Sequence, residues 1–218
     1  MEITLYYFKI AFWRAEMTRL ALYIGDIPFN NYIIEGKDRD NFKNSGILPN
    51  KKIAPFRQLP VLDVDGKIFA QTGAIARFCG KLSGLYPKDD DLAAARIDQV
   101  IEVAQDINYL FTLSSRDKEK EKLKLARKIL ATKHLPKYFN FLENLIKEND
   151  NSLFFVGENI SIADLAIWRL LGWFESGIID GVPTNILEPY KNLKKMRNEI
   201  YKHPKVNDWM IKTYGKVI

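Results

Sequence analysis

The spacing of apolar positions changes character once along this chain. Residues 1–82 alternate between strand and helix periods. Ile3 to Phe8 is a β-rich run, and Met17, Leu20, Ala21 and Ile24 then mark one face of a helix that Gly25 is placed to terminate. Asn31 to Ile34 predicts a second short strand, followed by a polar, Lys-rich loop up to Pro55. Pro60 opens a third apolar strand, and the Asp65-Gly66 pair suits a two-residue hairpin turn because Gly tolerates positive φ. After the return strand, Ile75, Phe78, Cys79 and Leu82 fall at helical spacing. Thr72 is thereby placed near a helix N-terminus, where its hydroxyl and the free amides can hold a carboxylate or simply cap the helix.

Ser83 to Asp91 has linker chemistry, with Gly, Pro and a short acidic cluster that also sits favourably before a helix. Beyond it the strand signal largely disappears. Ile97, Val100, Ile101, Ala104, Asn108 and Phe111 trace one face of a long helix. Leu123, Ala126 and Leu130 begin another, which Pro136 is expected to kink or divide before Tyr138, Phe141, Leu142 and Leu145 continue the pattern. Ser161 and Asp164 form a capping-box variant ahead of an apolar helix, and Val206, Trp209, Met210 and Thr213 predict a last amphipathic one. The expectation is an α/β domain over residues 1–82 and an all-helical domain over residues 92–218. The β-α-β then β-β-α order of the first resembles a thioredoxin-like domain, with a mixed four-stranded sheet.

Composition narrows the function classes. Charged residues make up 28% and hydrophobic residues 47%, as in soluble globular proteins. No apolar run approaches the roughly 18 residues that span a bilayer, and the acidic start at Glu2 does not resemble a secretory signal, so no membrane association is expected. The single Cys79 excludes an intramolecular disulfide and a CxxC motif, which fits a reducing, cytoplasmic compartment. With only two His besides, no metal site is expected. The net charge of +6 invites a nucleic-acid reading, but residues 1–80 and 81–218 each carry half of it. The Lys118 to Lys128 run also contains Glu119 and Glu121, which reads as a solvated helix face, so no nucleic-acid partner is expected.

Several ordered motifs resemble the cytosolic glutathione S-transferases of the tyrosine type, especially the sigma-like ones. Tyr6-Tyr7-Phe8 followed by Arg14-Ala15-Glu16 is similar to their first strand and helix, and Pro55 to Pro60 to the loop that leads to their cis-Pro. Leu85-Tyr86-Pro87 resembles their interdomain linker, Asp106 a helix Asp that in several classes reaches across the dimer to the glutathione amine, and Ser161 with Asp164 their capping motif. The resemblance extends over nearly the whole chain. Between Tyr7 and Arg14, bulky Ile10-Ala11-Phe12-Trp13 departs from the Arg-Gly of the pattern.

The resemblance implies Tyr7 as the catalytic hydroxyl and Arg14 as a source of positive potential. It implies Gln58, Leu59, Pro60, Gln71, Thr72 and Asp106 as glutathione-binding residues, with Lys43, Lys51 or Lys52 on the glycine carboxylate. Phe12, Asn108, Phe111 and Tyr214 are positional candidates for the electrophile site. A cis Leu59–Pro60 bond is implied too, although only about 5–6% of X-Pro bonds are cis. Read without the resemblance, Tyr6 and Tyr7 are ordinary strand aromatics, one in and one out, and Asp106 is a solvated helix residue. The implied protein is a homodimer that uses glutathione as co-substrate, without a metal, and conjugates it to small apolar electrophiles. A glutathione-dependent isomerase of the same superfamily and a non-catalytic scaffold homologue are the alternatives. Cys79, on an apolar stripe, is expected to be core.

Overall fold

In the computed structural model, which describes residues 1–149 and 152–215, four short strands form one mixed sheet. They are β1 (Ile3–Tyr7), β2 (Asn30–Ile33), β3 (Val61–Val64) and β4 (Lys67–Ala70), in the order β2-β1-β3-β4. β1 pairs parallel with β2 across the helix α1 (Trp13–Ile24), and antiparallel with β3; β3 and β4 form a hairpin. Asp65 and Gly66 at its turn both have positive φ, 49° and 81°, as a two-residue turn of this type requires.

Strand alternation sends the two tyrosines of β1 to opposite faces. Tyr7 joins Ile3, Leu5, Leu62, Ile75 and Cys79 beneath α1 and α3 (Thr72–Ser83). Tyr6 joins Ile34, Phe42, Val61 and Ala70 on the other face, its ring 5.3 Å from that of Tyr32. That face is covered by α2 (Gly36–Ser45), within the stretch expected to be loop. The sequence carries no periodic signal there because α2 buries one side chain, Phe42, and is held locally by the Tyr32 hydroxyl donating to Asp38 at 2.7 Å. Gly25 does follow the last residue of α1, but at φ −78° it makes no left-handed cap. Its requirement is space, since a Cβ there would lie 2.5 Å from the Cβ of Ser83.

The helical half comprises α4 (Asp91–Leu113), α5 (Lys120–Ile129), α6 (Leu135–Glu148), α7 (Ile162–Glu175), α8 (Lys191–Lys202) and α9 (Pro204–Tyr214). A π-helical turn over Leu130–His134 joins α5 to α6. Pro136 falls in the first turn of α6, where its missing N–H costs no helical hydrogen bond. α7 is buried almost throughout and packs against α1, α4 and α8, so one continuous core joins Trp13, Met17 and Leu20 to Trp168, Leu171 and Phe174. The Ser161 and Asp164 box is present at its start: Asp164 is fully buried and accepts from the backbone N–H of Ser161 at 2.8 Å and of Phe155 at 2.9 Å. α8 gave no sequence signal of its own. Its N-terminal amides, Asn192 and Leu193, donate to the carboxylate of Glu143 on α6, a cap supplied from 50 residues away. Among the described residues, no helix is long and apolar enough to cross a membrane.

Candidate active site

Two adjoining hollows open where the C-terminal end of β1 meets α4, and Arg14 lines both. The smaller, of about 120 Å³, gathers Arg14, Gln58, Leu59, Pro60, Gln71 and Thr72. The Leu59–Pro60 peptide is cis. Gln71 precedes α3 with φ 77° and ψ 122°, a conformation that non-glycine residues rarely adopt outside sites that constrain it. Gln71 is the cap residue and Thr72 the first helical one, so the Thr72 hydroxyl does not serve as the N-cap of its own helix. No side chain caps α3. Its first amides therefore point into the hollow without a helical partner, the arrangement that receives a carboxylate.

The larger hollow, about 650 Å³, is lined by Tyr7, Phe12, Arg14, Asn108, Phe111 and Tyr214 among others. Tyr7 is 5% exposed, and its hydroxyl has no hydrogen-bond partner among the described residues. Burial pushes its pKa up to about 12, against the opposing pull of the nearby Arg14 and Arg19. It is therefore a phenol at any physiological pH, able to donate a hydrogen bond. The Arg14 Nε is buried without a partner. A neutral donor on the larger hollow and, where the two hollows meet, a guanidinium with no partner at Nε among the described residues together favour an anion between them.

The bulky loop between Tyr7 and Arg14 is held from behind. Arg19, fully buried on α1, donates to the carbonyls of Phe8 and Ile10, each at 3.1 Å, and to Glu16 at 3.0 Å. Glu16 in turn accepts from Trp209 and Tyr214 on α9, both at 2.6 Å. Arg169 on α7 donates through Nε to the carbonyl of Ala11. These contacts tie the loop to α1, α7 and α9. The Arg19 guanidinium also lies 5.6 Å from the centre of the Tyr7 ring.

Four expected residues lie elsewhere; one of them, Lys51, is exposed at φ 65° and does not line the small hollow. Lys52 is drawn to the far end of the β3–β4 hairpin, where its Nζ donates to the Gly66 carbonyl and lies 3.5 Å from Asp63. The carboxylate of Asp63 claims it, so it does not reach the small hollow. Lys43 is exposed in the last turn of α2 and does not line the hollow either. Asp106 is exposed on α4, facing away from this chain's own hollow; its neighbour Gln105 lines that instead. Sequence reasoning also missed Lys9, Arg169 and Trp173, all on the larger hollow. Arg169 carried a readable signal, a cation amid the apolar run Leu165-Ala-Ile-Trp before it and Leu170-Leu171 after it. Cys79 is fully buried in the core, and burial pushes its thiol up to about 12, which leaves it no part in this site.

Comparison with known proteins places this arrangement in context. Residues 105–213 match the family model of the glutathione S-transferase C-terminal domain. A glutathione S-transferase of Plasmodium falciparum is 30% identical over 207 residues, covering 91% of this chain and 89% of that protein. Human glutathione S-transferase A1 is 28% identical over 208 residues, covering 94% and 86%. Among solved structures, prostaglandin synthase D of Nilaparvata lugens superposes with a TM-score of 0.82 at 26% identity, covering 97% of this chain and 98% of that one. The glutathione S-transferase from Ascaris lumbricoides gives 0.77 at 25%, covering 98% of each. Sheet order, cis-proline loop, capped central helix and relatives over nine-tenths of the length agree: the chain belongs to the glutathione S-transferase family.

Proposed function

We propose that this chain activates the thiol of glutathione at Tyr7 and conjugates it to apolar electrophiles. The observation that carries the reading is the hydroxyl of buried Tyr7 on the aromatic hollow, without a hydrogen-bond partner among the described residues and close to Arg14, which lines both hollows. Residues 1–82 bind glutathione, and residues 92–218 contribute Asn108, Phe111, Trp173 and Tyr214 to the electrophile wall. In the small hollow, the α3 N-terminus with Gln71 and Thr72 takes the γ-glutamyl carboxylate, and the Leu59 backbone pairs with the cysteinyl unit as an added strand would. Gln58 addresses the ligand backbone. A free thiol of pKa about 8.5 is mostly protonated at pH 7, and the thiolate is the nucleophile. A hydrogen bond from Tyr7 favours the thiolate without requiring Tyr7 to ionise. The thiol gives its proton to water, and the thiolate sulfur then bonds to the electrophilic carbon; at a chlorinated ring carbon the C–Cl bond breaks and chloride leaves with its electron pair. In this reading the chain is a detoxifying enzyme of the cytoplasm, as its likeness to the glutathione S-transferases supports.

Conjugation of a chlorinated dinitrobenzene, followed by absorbance, tests this directly. Retention on immobilised glutathione without turnover points instead to a binding scaffold. A second reading, a glutathione-dependent isomerase that returns its glutathione, is favoured by the likeness to the Nilaparvata lugens structure named prostaglandin synthase D.

The same proposal includes a homodimer in which Asp106 reaches the glutathione amine of the partner subunit. Its support is placement: Asp106 is exposed on α4, and Phe56 is exposed on the rim of the small hollow. Asp106→Asn should weaken glutathione binding by about threefold to tenfold, as expected for a partly desolvated ion pair. It should leave the pH dependence of turnover nearly unchanged, because it acts at the amine and not at the sulfur. The loss should shrink at high salt. Unchanged affinity, or a monomer by light scattering at micromolar concentration, would refute the cross-subunit contact.

A further inference from the structure

We infer that the larger hollow is built for electrophiles that carry an acidic group, with Lys9 as the residue that selects them. This rests on the transferase reading above. The charge around the hollow is one-sided: Lys9, Arg14 and Arg169 line it, and among the described residues no Asp or Glu does. Behind the wall, Glu16 is fully buried and paired with Arg19 at 3.0 Å. Arg127 stacks on the outer side of Phe111, its guanidinium 3.9 Å from the ring centre, and Asp180 is the acid that acts on it. Lys9 and Arg14 therefore face the hollow without a carboxylate among the described residues that line it.

The three cations differ in availability. Arg169 is 3% exposed and committed through Nε to the Ala11 carbonyl. Arg14 stands at the junction with the small hollow, next to Tyr7. Lys9 is exposed at the rim and has no hydrogen-bond or ion-pair partner among the described residues. The floor opposite is aromatic: Trp173 meets Phe12 at 4.8 Å and Phe111 at 4.4 Å, both edge to face. An apolar body would pack on these rings and extend its acid toward Lys9, where low-dielectric walls strengthen the field of the cations. The volume of about 650 Å³ holds a body larger than one aromatic ring.

Benzylideneacetone and its para-carboxy analogue are a matched pair for the test. In both, the glutathione sulfur bonds to the β-carbon of the enone, and the π electrons of the C=C bond move to the carbonyl oxygen. The resulting enolate takes a proton from water on its α-carbon, which balances the proton released by the thiol. The acid group itself takes no part. The measured quantity is kcat/KM for each compound divided by its uncatalysed rate constant with glutathione. The acid should exceed the neutral compound, and Lys9→Met should lower that ratio by about threefold to tenfold, the size of a charge-assisted contact at a half-wet rim. Lys9→Glu should lower it further, Lys9→Arg should restore it, and added salt should reduce it. A parent ratio at or below one, or a ratio unmoved by Lys9→Met and Lys9→Glu, overturns the assignment while turnover of the neutral compound leaves the transferase reading standing. Absence of turnover with both compounds overturns that reading and this inference together.

Discussion

Tyr7→Phe should lower kcat/KM for conjugation at neutral pH by about ten- to a hundredfold, while glutathione affinity changes little. The variant keeps the ring, which packs among Leu5, Leu62 and Ile75, and removes only the hydroxyl. A hydrogen bond to a charged partner contributes about 1.5–3 kcal/mol, and one pKa unit corresponds to about 1.36 kcal/mol. One donor can therefore lower the thiol pKa by about one to two units. Burial pushes the Tyr7 phenol itself up to about 12, so the parent enzyme should show no loss of the donor until strongly alkaline pH. The variant should recover part of its rate as pH rises past the thiol's own pKa and thiolate forms unaided. Steady-state kinetics across pH, together with glutathione titration, would read both effects. Tyr6→Phe is the control. Tyr6 packs against Tyr32 on the opposite face of the sheet, so a larger loss there than at Tyr7 would show that the hydroxyl assignment is wrong.

The largest effect on stability is expected at Asp164. Its carboxylate accepts from two backbone N–H groups and from the Ser161 hydroxyl at 2.6 Å, all within the core. Asp164→Ala leaves these donors buried without an acceptor, at about 1–3 kcal/mol each for the two amides. A loss of about 3 kcal/mol would lower Tm by roughly 6–12 °C at this chain length. Asp164→Asn keeps one acceptor oxygen and should lose less.

The pH dependence has a definite sign. Burial raises the Asp164 pKa to about 6, against the hydrogen bonds that pull it down. The native state therefore binds this proton more tightly than the unfolded chain. The contribution of Asp164 to stability is greatest below about pH 4 and declines as pH rises to about 6, the reverse of an ordinary salt-bridged carboxylate. The stability difference between the parent and Asp164→Asn should narrow over that interval in the direction of higher pH. Denaturant unfolding at a series of pH values checks it, and a difference that widens would contradict the burial argument.

What was readable from the chain, and what was not, divides along the range of the forces involved. Local signals carried the strands, the Asp65-Gly66 turn, the long helices and the Ser161 and Asp164 box, because each depends on residues within a few positions of one another. α2 and α8 were not readable. One is anchored by a single buried Phe42, and the other is capped by Glu143 from a different helix. Gly25 was legible as a helix end and misread in its reason, since the demand for a glycine comes from Ser83, distant in sequence.

At the site, motif order alone brought Tyr7, Arg14, Gln58, Leu59, Pro60, Gln71 and Thr72 forward, and the fold gathers them at two adjoining hollows. The resemblance singled out Tyr7 over Tyr6, whereas alternation by itself says only that they face opposite ways; which face meets the hollow depends on where α1 and α2 pack. The same holds for the lysines. Nothing in sequence distinguishes Lys43, Lys51 and Lys52, whereas the folded hairpin sets Lys52 beside Asp63. The chain by itself determined the secondary elements with local codes, their order and the family they belong to. Tertiary structure decided charge placement: that Lys9 and Arg169, far apart in sequence, line one hollow, and that Glu16 pairs with Arg19 behind it. Electrostatics act through space, and only the packed fold sets those distances.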